Sequence, residues 1–178
     1  MPPPRPLTTI GAACLALLLA SCGSNGHRSA SSSSTSTPGA PAASGPAAEA
    51  PAVDQATELK VAPVIHAGSG AAPTKLVIKD LLEGSGAVAQ AGSTVSVQYV
   101  GALYTGGKVF DSSWTRGQPA AFSLAQVIPG FAQGIAGMKV GGRRELVIPP
   151  DLGYGANGTG PIPPNATLVF VIDLLAVQ

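Results

Sequence analysis

The chain has 178 residues, a length suited to one domain with appendages, and its formal net charge of +1 comes with no basic stripe to track phosphates, which excludes a nucleic-acid-binding protein. Gly and Pro number 23 and 17, while the eight aromatics all lie between Tyr99 and Phe170, which excludes a single core spread over the whole chain. Both histidines (His27, His66) and both cysteines (Cys14, Cys22) precede Tyr99, so imidazole acid–base chemistry, thiol nucleophiles and the usual zinc ligand sets are excluded from the aromatic-bearing part.

At the N-terminus, Arg5 is followed by the apolar run LTTIGAACLALLLA from Leu7 to Ala20, a basic start and a short apolar stretch that read as a secretory signal. Leu19, Ala20, Ser21 and Cys22 then resemble a bacterial lipobox: an aliphatic residue, two small residues and a Cys that takes lipid after cleavage just before it. Residues 1–21 are therefore expected to be a lipoprotein signal peptide, with Cys22 as the lipidated residue and Cys14 lost with the signal. Several acyl chains hold far better than one, since burial contributes about 0.8 kcal/mol per CH₂. From Ser29 to Ala52 every residue except Glu49 is Ser, Ala, Thr, Pro or Gly, a composition that cannot offset its ordering entropy by burial. Residues 22–72 are thus expected to be the lipidated Cys and a flexible tether with a reach of about 40 Å. The chain is expected outside the cytoplasm, anchored to the cell envelope.

Residues 73–178 carry short strand patterns separated by turn signals. An apolar run from Lys75 to Leu82 comes first. Thr94 to Val100 alternates, with Val95, Val97 and Tyr99 on one face. Gly106 and Gly107 predict a two-residue hairpin between residues 101–104 and 108–110. Pro129 then suits a first helical turn, and Phe131, Ile135 and Met138 predict one helix face ending near Gly141 and Gly142. Gly134 and Gly137 weaken that helix by about 1 kcal/mol each, so it needs a sheet to pack on. Arg144 to Ile148 places Leu146 and Ile148 on one side. Thr167 to Leu175 does the same for Leu168, Phe170, Ile172 and Leu174. About five strands and one helix predict an α+β domain.

Six blocks in this region, in order, are more specific: VQYVG at 97–101, GKVFDSS at 107–113, VIPGF at 127–131, MKVGGRR at 138–144, PDLGYG at 150–155 and IPPNATLVF at 162–170. The series closely resembles the FKBP-type peptidyl-prolyl cis–trans isomerases and covers essentially all of residues 73–178. The resemblance implies a strongly twisted five-stranded antiparallel sheet wrapped around one short helix, with an apolar pocket between them. It implies that Phe131, Val127, Ile128, Phe110, Tyr99 and Phe170 receive a proline ring. It further implies that the Tyr154 hydroxyl and the Ile128 backbone N–H donate to substrate carbonyls, that Asp111 faces the twisted carbonyl, with Tyr99 and Arg116 as neighbours, and that Ile162 belongs to a flap. On this resemblance the catalytic set is Asp111, Tyr154, Phe131 and Ile128, and the substrate-binding set is Tyr99, Phe110, Arg116, Val127, Ile162 and Phe170. The sequence departs from the best-known members at the floor, where Phe131 replaces Trp, and at Ala120, where an aromatic wall residue is common. Proline-containing polypeptides are the implied substrates, FK506 or rapamycin the implied ligands, and the protein is expected to be a monomer using no cofactor or metal.

Other features have plainer readings. Val97, Phe122, Leu146, Ile148 and Ile172 are expected to be core, with Tyr104 and Trp114 nearer the surface. Ser112 and Ser113 have no histidine in the domain to activate them. The glycines at 153, 155 and 158 mimic a nucleotide fingerprint but are followed by Pro161 rather than by a helix. The alternative to an isomerase is a non-catalytic module or holdase chaperone that grips proline-containing segments with the same cleft.

Overall fold

The stretch from Leu168 to Val177 is apolar at every position but Asp173, so both of its faces need cover, and the architecture supplies it. The computed structural model describes residues 49–178, so the signal peptide, the Cys22 lipobox and most of the expected tether lie outside the described residues. In chain order the elements are β1 (Val53–Asp54), β2 (Val64–Ile65), β3 (Val77–Leu82), β4 (Thr94–Leu103), β5 (Val109–Ser112), β6 (Ala120–Ser123), α1 (Pro129–Ile135), β7 (Arg143–Ile148) and β8 (Leu168–Val177). The main sheet is antiparallel in the order β3, β7, β8, β4, β5, with β6 also pairing with β4. β5 pairs with Val100–Ala102 and β6 with Thr94–Val97, both opposite the β8 side of β4. The sheet is therefore five strands wide, as expected, and its fifth place is shared by two short strands.

Alternation sorts the side chains. Val95, Val97 and Tyr99 of β4, Leu146 and Ile148 of β7, and Leu168, Phe170, Ile172 and Leu174 of β8 face the helix and form an inner core with Phe131, Ile135 and Met138. Val100, Ala102, Val147, Val169 and Val171 face the other way into an outer core. The expected period-2 faces are those observed. One detail of the hairpin differs: β4 runs unbroken to Leu103, and the turn is the longer loop Tyr104–Gly107, closed by the Gly107 N–H donating to the Leu103 carbonyl at 3.1 Å.

The helix is shorter than its spacing predicts. It ends at Ile135, after seven residues; Ala136 is already extended (φ −54°, ψ 132°), and Gly137 sits at φ 82°. Met138 therefore lies in the following turn, though still buried in the inner core. A helix this short holds only through packing. A Cβ at Gly134 would overlap the Leu146 side chain, so the absent side chain is what lets the helix lie against β7.

The tether expectation, drawn as far as residue 72, needs correction. β1 and β2 pair antiparallel, Ile65 is buried in the outer core, and Ala50, Val53 and Ala72 pack against it. Residues 49–72 thus form a strap over the outer face of the sheet. Tyr104, expected near the surface, is 2% exposed, and its hydroxyl donates to the Ser69 carbonyl at 3.1 Å. Trp114 is likewise not a free loop residue; it is half-buried against the same outer core. Few apolar residues do this work, because the sheet already presents a finished apolar face to receive them.

Candidate active site

Between the concave face of the sheet and the helix lies a cleft of about 340 Å³ lined by Tyr99, Phe110, Asp111, Phe122, Gln126, Val127, Ile128, Phe131, Tyr154 and Phe170. Five rings build its walls in a chain of edge contacts. Phe131 meets Phe170 at 5.3 Å between centroids and Phe122 at 5.7 Å, both close to perpendicular. Phe170 in turn meets Phe110 at 5.6 Å, and Phe122 meets Tyr99 at 5.6 Å. Edge-to-face packing of this kind fixes each ring by its neighbours. Gly101 makes room for it: a Cβ there would lie 2.8 Å from both Phe110 and Phe170.

Each wall comes from a different local structure. β4 brings Tyr99, β5 brings Phe110 and Asp111, β8 brings Phe170, and α1 brings Phe131. Ile128 caps the helix; its carbonyl accepts from the N–H groups of Phe131 and Ala132, while its own N–H has no backbone acceptor among the described residues. Tyr154 follows the 3-10 turn Pro150–Leu152 and stands at the rim, 38% exposed.

At the polar end of the cleft three side chains close a ring. The Tyr99 hydroxyl donates to Asp111 Oδ2, Arg116 Nη1 donates to Asp111 Oδ1 at 2.6 Å, and Arg116 Nη2 donates to the Tyr99 hydroxyl oxygen at 2.8 Å. Burial pushes the Asp111 carboxyl up, but the hydrogen bonds from Tyr99 and Arg116 and the guanidinium charge outweigh it and leave its pKa below the ordinary value. For Tyr99, burial and the bond to Asp111 raise the phenol, so it stays neutral. The result is a fixed carboxylate beside an otherwise apolar cavity.

Eight of the ten side chains expected at the site line the cleft. Arg116 does not line it but acts on two residues that do. Ile162, expected in a flap, is not among the lining residues; it is 6% exposed in the inner core and exchanges backbone bonds with Thr159 at 2.8 and 3.0 Å. Two lining residues were not expected there, Phe122 and Gln126. Phe122 was expected only as core, and it is both: partly buried in the inner core and edge-on to Tyr99 and Phe131. The described residues contain no group of three His, Cys, Asp or Glu that could hold a metal.

Residues 86–175 match the family described as FKBP-type peptidyl-prolyl cis-trans isomerase. The chain is 55% identical over 119 residues to an FK506-binding protein of Streptomyces anulatus, an alignment that covers 65% of this chain and 96% of that protein. It is 48% identical over 105 residues to the FKBP-type peptidyl-prolyl cis-trans isomerase FkpA of Escherichia coli, covering 59% of this chain and 38% of FkpA. The crystal structure of FkpA from Escherichia coli is similar with a TM-score of 0.56, covering 59% of this chain and 49% of that one. That of a peptidyl-prolyl cis-trans isomerase from Pseudomonas syringae pv. tomato is similar with a TM-score of 0.53 at 41% identity, covering 58% and 75%.

Proposed function

Since the chain belongs to the FKBP-type peptidyl-prolyl cis-trans isomerase family, we propose that its aromatic cleft is the catalytic site and that the enzyme acts on proteins outside the cytoplasm. The reaction breaks no covalent bond. It rotates a prolyl amide against a barrier of about 20 kcal/mol, a step that takes about 10–100 s unaided. An acceleration of five decades requires about 7 kcal/mol of transition-state stabilisation. The planar amide is the more polar state and water stabilises it more, so transfer into an apolar cleft favours the twisted state.

The residues divide this work. Phe131 forms the floor under the proline ring, with Phe110, Phe170, Phe122, Val127 and Ile128 as walls. The Ile128 N–H and the Tyr154 hydroxyl are placed to hold the carbonyls that flank the rotating bond, which orients the chain for rotation. Asp111, held ionised by Tyr99 and Arg116, supplies a fixed negative field at the polar end. The observation that carries this reading is the closed Tyr99–Asp111–Arg116 ring at the polar end of a cleft walled mainly by aromatic and aliphatic side chains. A proline-peptide isomerisation assay with FK506 titration tests it: acceleration over solvent that the macrolide suppresses is expected, and acceleration that persists with FK506 bound in the cleft would place the chemistry elsewhere.

The cellular setting rests on the N-terminal pattern. Cleavage before Cys22 and acylation of its thiol would leave the isomerase domain attached to the envelope through the segment that follows. Labelling with a radioactive fatty acid should mark the wild-type chain and leave Cys22→Ala unlabelled and soluble. Label retained by Cys22→Ala would refute the anchor.

A further inference from the structure

We propose that Ser113 is the positioning residue that sets Arg116 against Asp111 and Tyr99, a proposal that rests on reading their ring as part of the active site. The ring has a weakness. The Arg116 and Asp111 side chains are both more than two-fifths exposed, and exposed ion pairs in water contribute little and open readily. Arg116 also stands at the end of a single 3-10 turn, Trp114–Arg116, with no buried residue of its own. Trp114, half-buried against the outer core, and the Thr115 hydroxyl, which donates to the Ser112 carbonyl at 2.8 Å, steady the turn itself; its attachment to Tyr99 comes from the residue before it.

Ser113 precedes the turn and is fully buried, with 0% exposure. Its contacts reach both ends of the ring. The Ser113 N–H donates to the Tyr99 carbonyl at 3.1 Å, and the Ser113 carbonyl accepts from the Arg116 N–H at 3.0 Å. Its hydroxyl oxygen accepts from the Tyr99 N–H at 2.8 Å and donates to Gln98 Oε1. The Tyr99 N–H bond is the one a strand would ordinarily supply. β5 ends at Ser112, and β6 rejoins β4 only at Val97. In the gap between them the Ser113 hydroxyl completes the ladder. Removing it leaves the Tyr99 N–H buried without an acceptor, with the Ser113 N–H as the remaining main-chain bond between this segment and Tyr99.

Acting through another group, Ser113 should show coupling rather than a simple loss. In the full-length chain, Ser113→Ala is expected to lower kcat/KM by about tenfold while remaining folded by thermal melting. Added to Arg116→Ala, it should cost nothing further. Nuclear magnetic resonance is expected to find the Arg116 guanidinium protons protected from exchange in the wild type, with that protection lost in Ser113→Ala and partly restored in Ser113→Cys. Protection retained in Ser113→Ala, or losses that multiply in the double variant, would overturn the proposal. So would failure of both Ser113 variants to fold, which assigns the residue to stability alone. If Arg116→Ala leaves kcat/KM intact while its protection in the wild type depends on Ser113, the catalytic reading of the ring fails and the positioning role stands.

Discussion

Arg143 and Asp173 face each other across neighbouring strands and form a fully buried, two-point ion pair, with Nη2 to Oδ2 at 2.6 Å. The same guanidinium donates to the backbone carbonyls of Gln55 and, at 3.0 Å, Val61, so the pair also grips the strap. Breaking one member leaves a buried charge without a partner, which costs about 3–5 kcal/mol, whereas an apolar replacement of both is far milder. Asp173→Leu should therefore lower stability by about that amount in urea denaturation, and Arg143→Met with Asp173→Leu should recover most of it. Equal losses in the single and double variants would show that the pair does not act as a unit.

Glu145 lies two residues from Arg143 on the same face, 1% exposed, and neither carboxylate oxygen has a hydrogen-bond partner among the described residues. Burial pushes its pKa up to about 7, against a weaker opposing pull from Lys79, its neighbour on β3. The group holds its proton in the folded state at pH values where the unfolded chain has already lost it. Stability should be level below pH 4.5, fall from there to about 7, and be level above, a total change of about 3 kcal/mol. Glu145→Gln should remove this slope and be the more stable protein at pH 8. A slope unchanged in Glu145→Gln would assign it to other groups.

The parts of the fold that were legible in the sequence are those governed by period. β4 and β8 bury alternate residues on opposite faces, so Tyr99 and Phe170 on one side and Val169 and Val171 on the other follow from order alone. The strap was not legible, because its strands have two residues each and Ile65 becomes core only when a finished sheet face is present. The helix end was missed because Met138 continues the apolar spacing although the backbone has already turned at Ala136. At the site, eight lining residues were among those the resemblance implies, but the double role of Phe122 depends on β6 pairing with the first residues of β4, which no local pattern records.

Asp111 carries a pH prediction of opposite sign to Glu145. Its pKa is lowered in the folded state, so what the ring contributes is complete above the unfolded value of 3.8 and is lost as pH falls through the folded one. Activity limited by this carboxylate should be flat across neutral and mildly acid pH and decline only below 3.8. In Arg116→Ala the decline should move toward higher pH, because the guanidinium no longer holds the charge. An unshifted acid limb, measured as kcat/KM against pH, would exclude Asp111 as the group responsible.

Phe131 separates catalysis from stability. It is buried between Phe170 and Phe122 as the floor of the cleft, so Phe131→Ala should cost about 3–5 kcal/mol and confound the rate with partial unfolding. Phe131→Leu keeps an apolar side chain of nearly the same bulk and should cost less than about 1.5 kcal/mol. What it loses is the flat face beneath the proline ring and the edge contacts that hold the neighbouring rings. Its kcat/KM on a proline peptide should therefore fall by about tenfold, corresponding to about 1.4 kcal/mol, at a melting temperature close to the wild type. A rate unchanged in Phe131→Leu would mean that the floor contributes volume alone and that the aromatic walls, not Phe131, orient the ring.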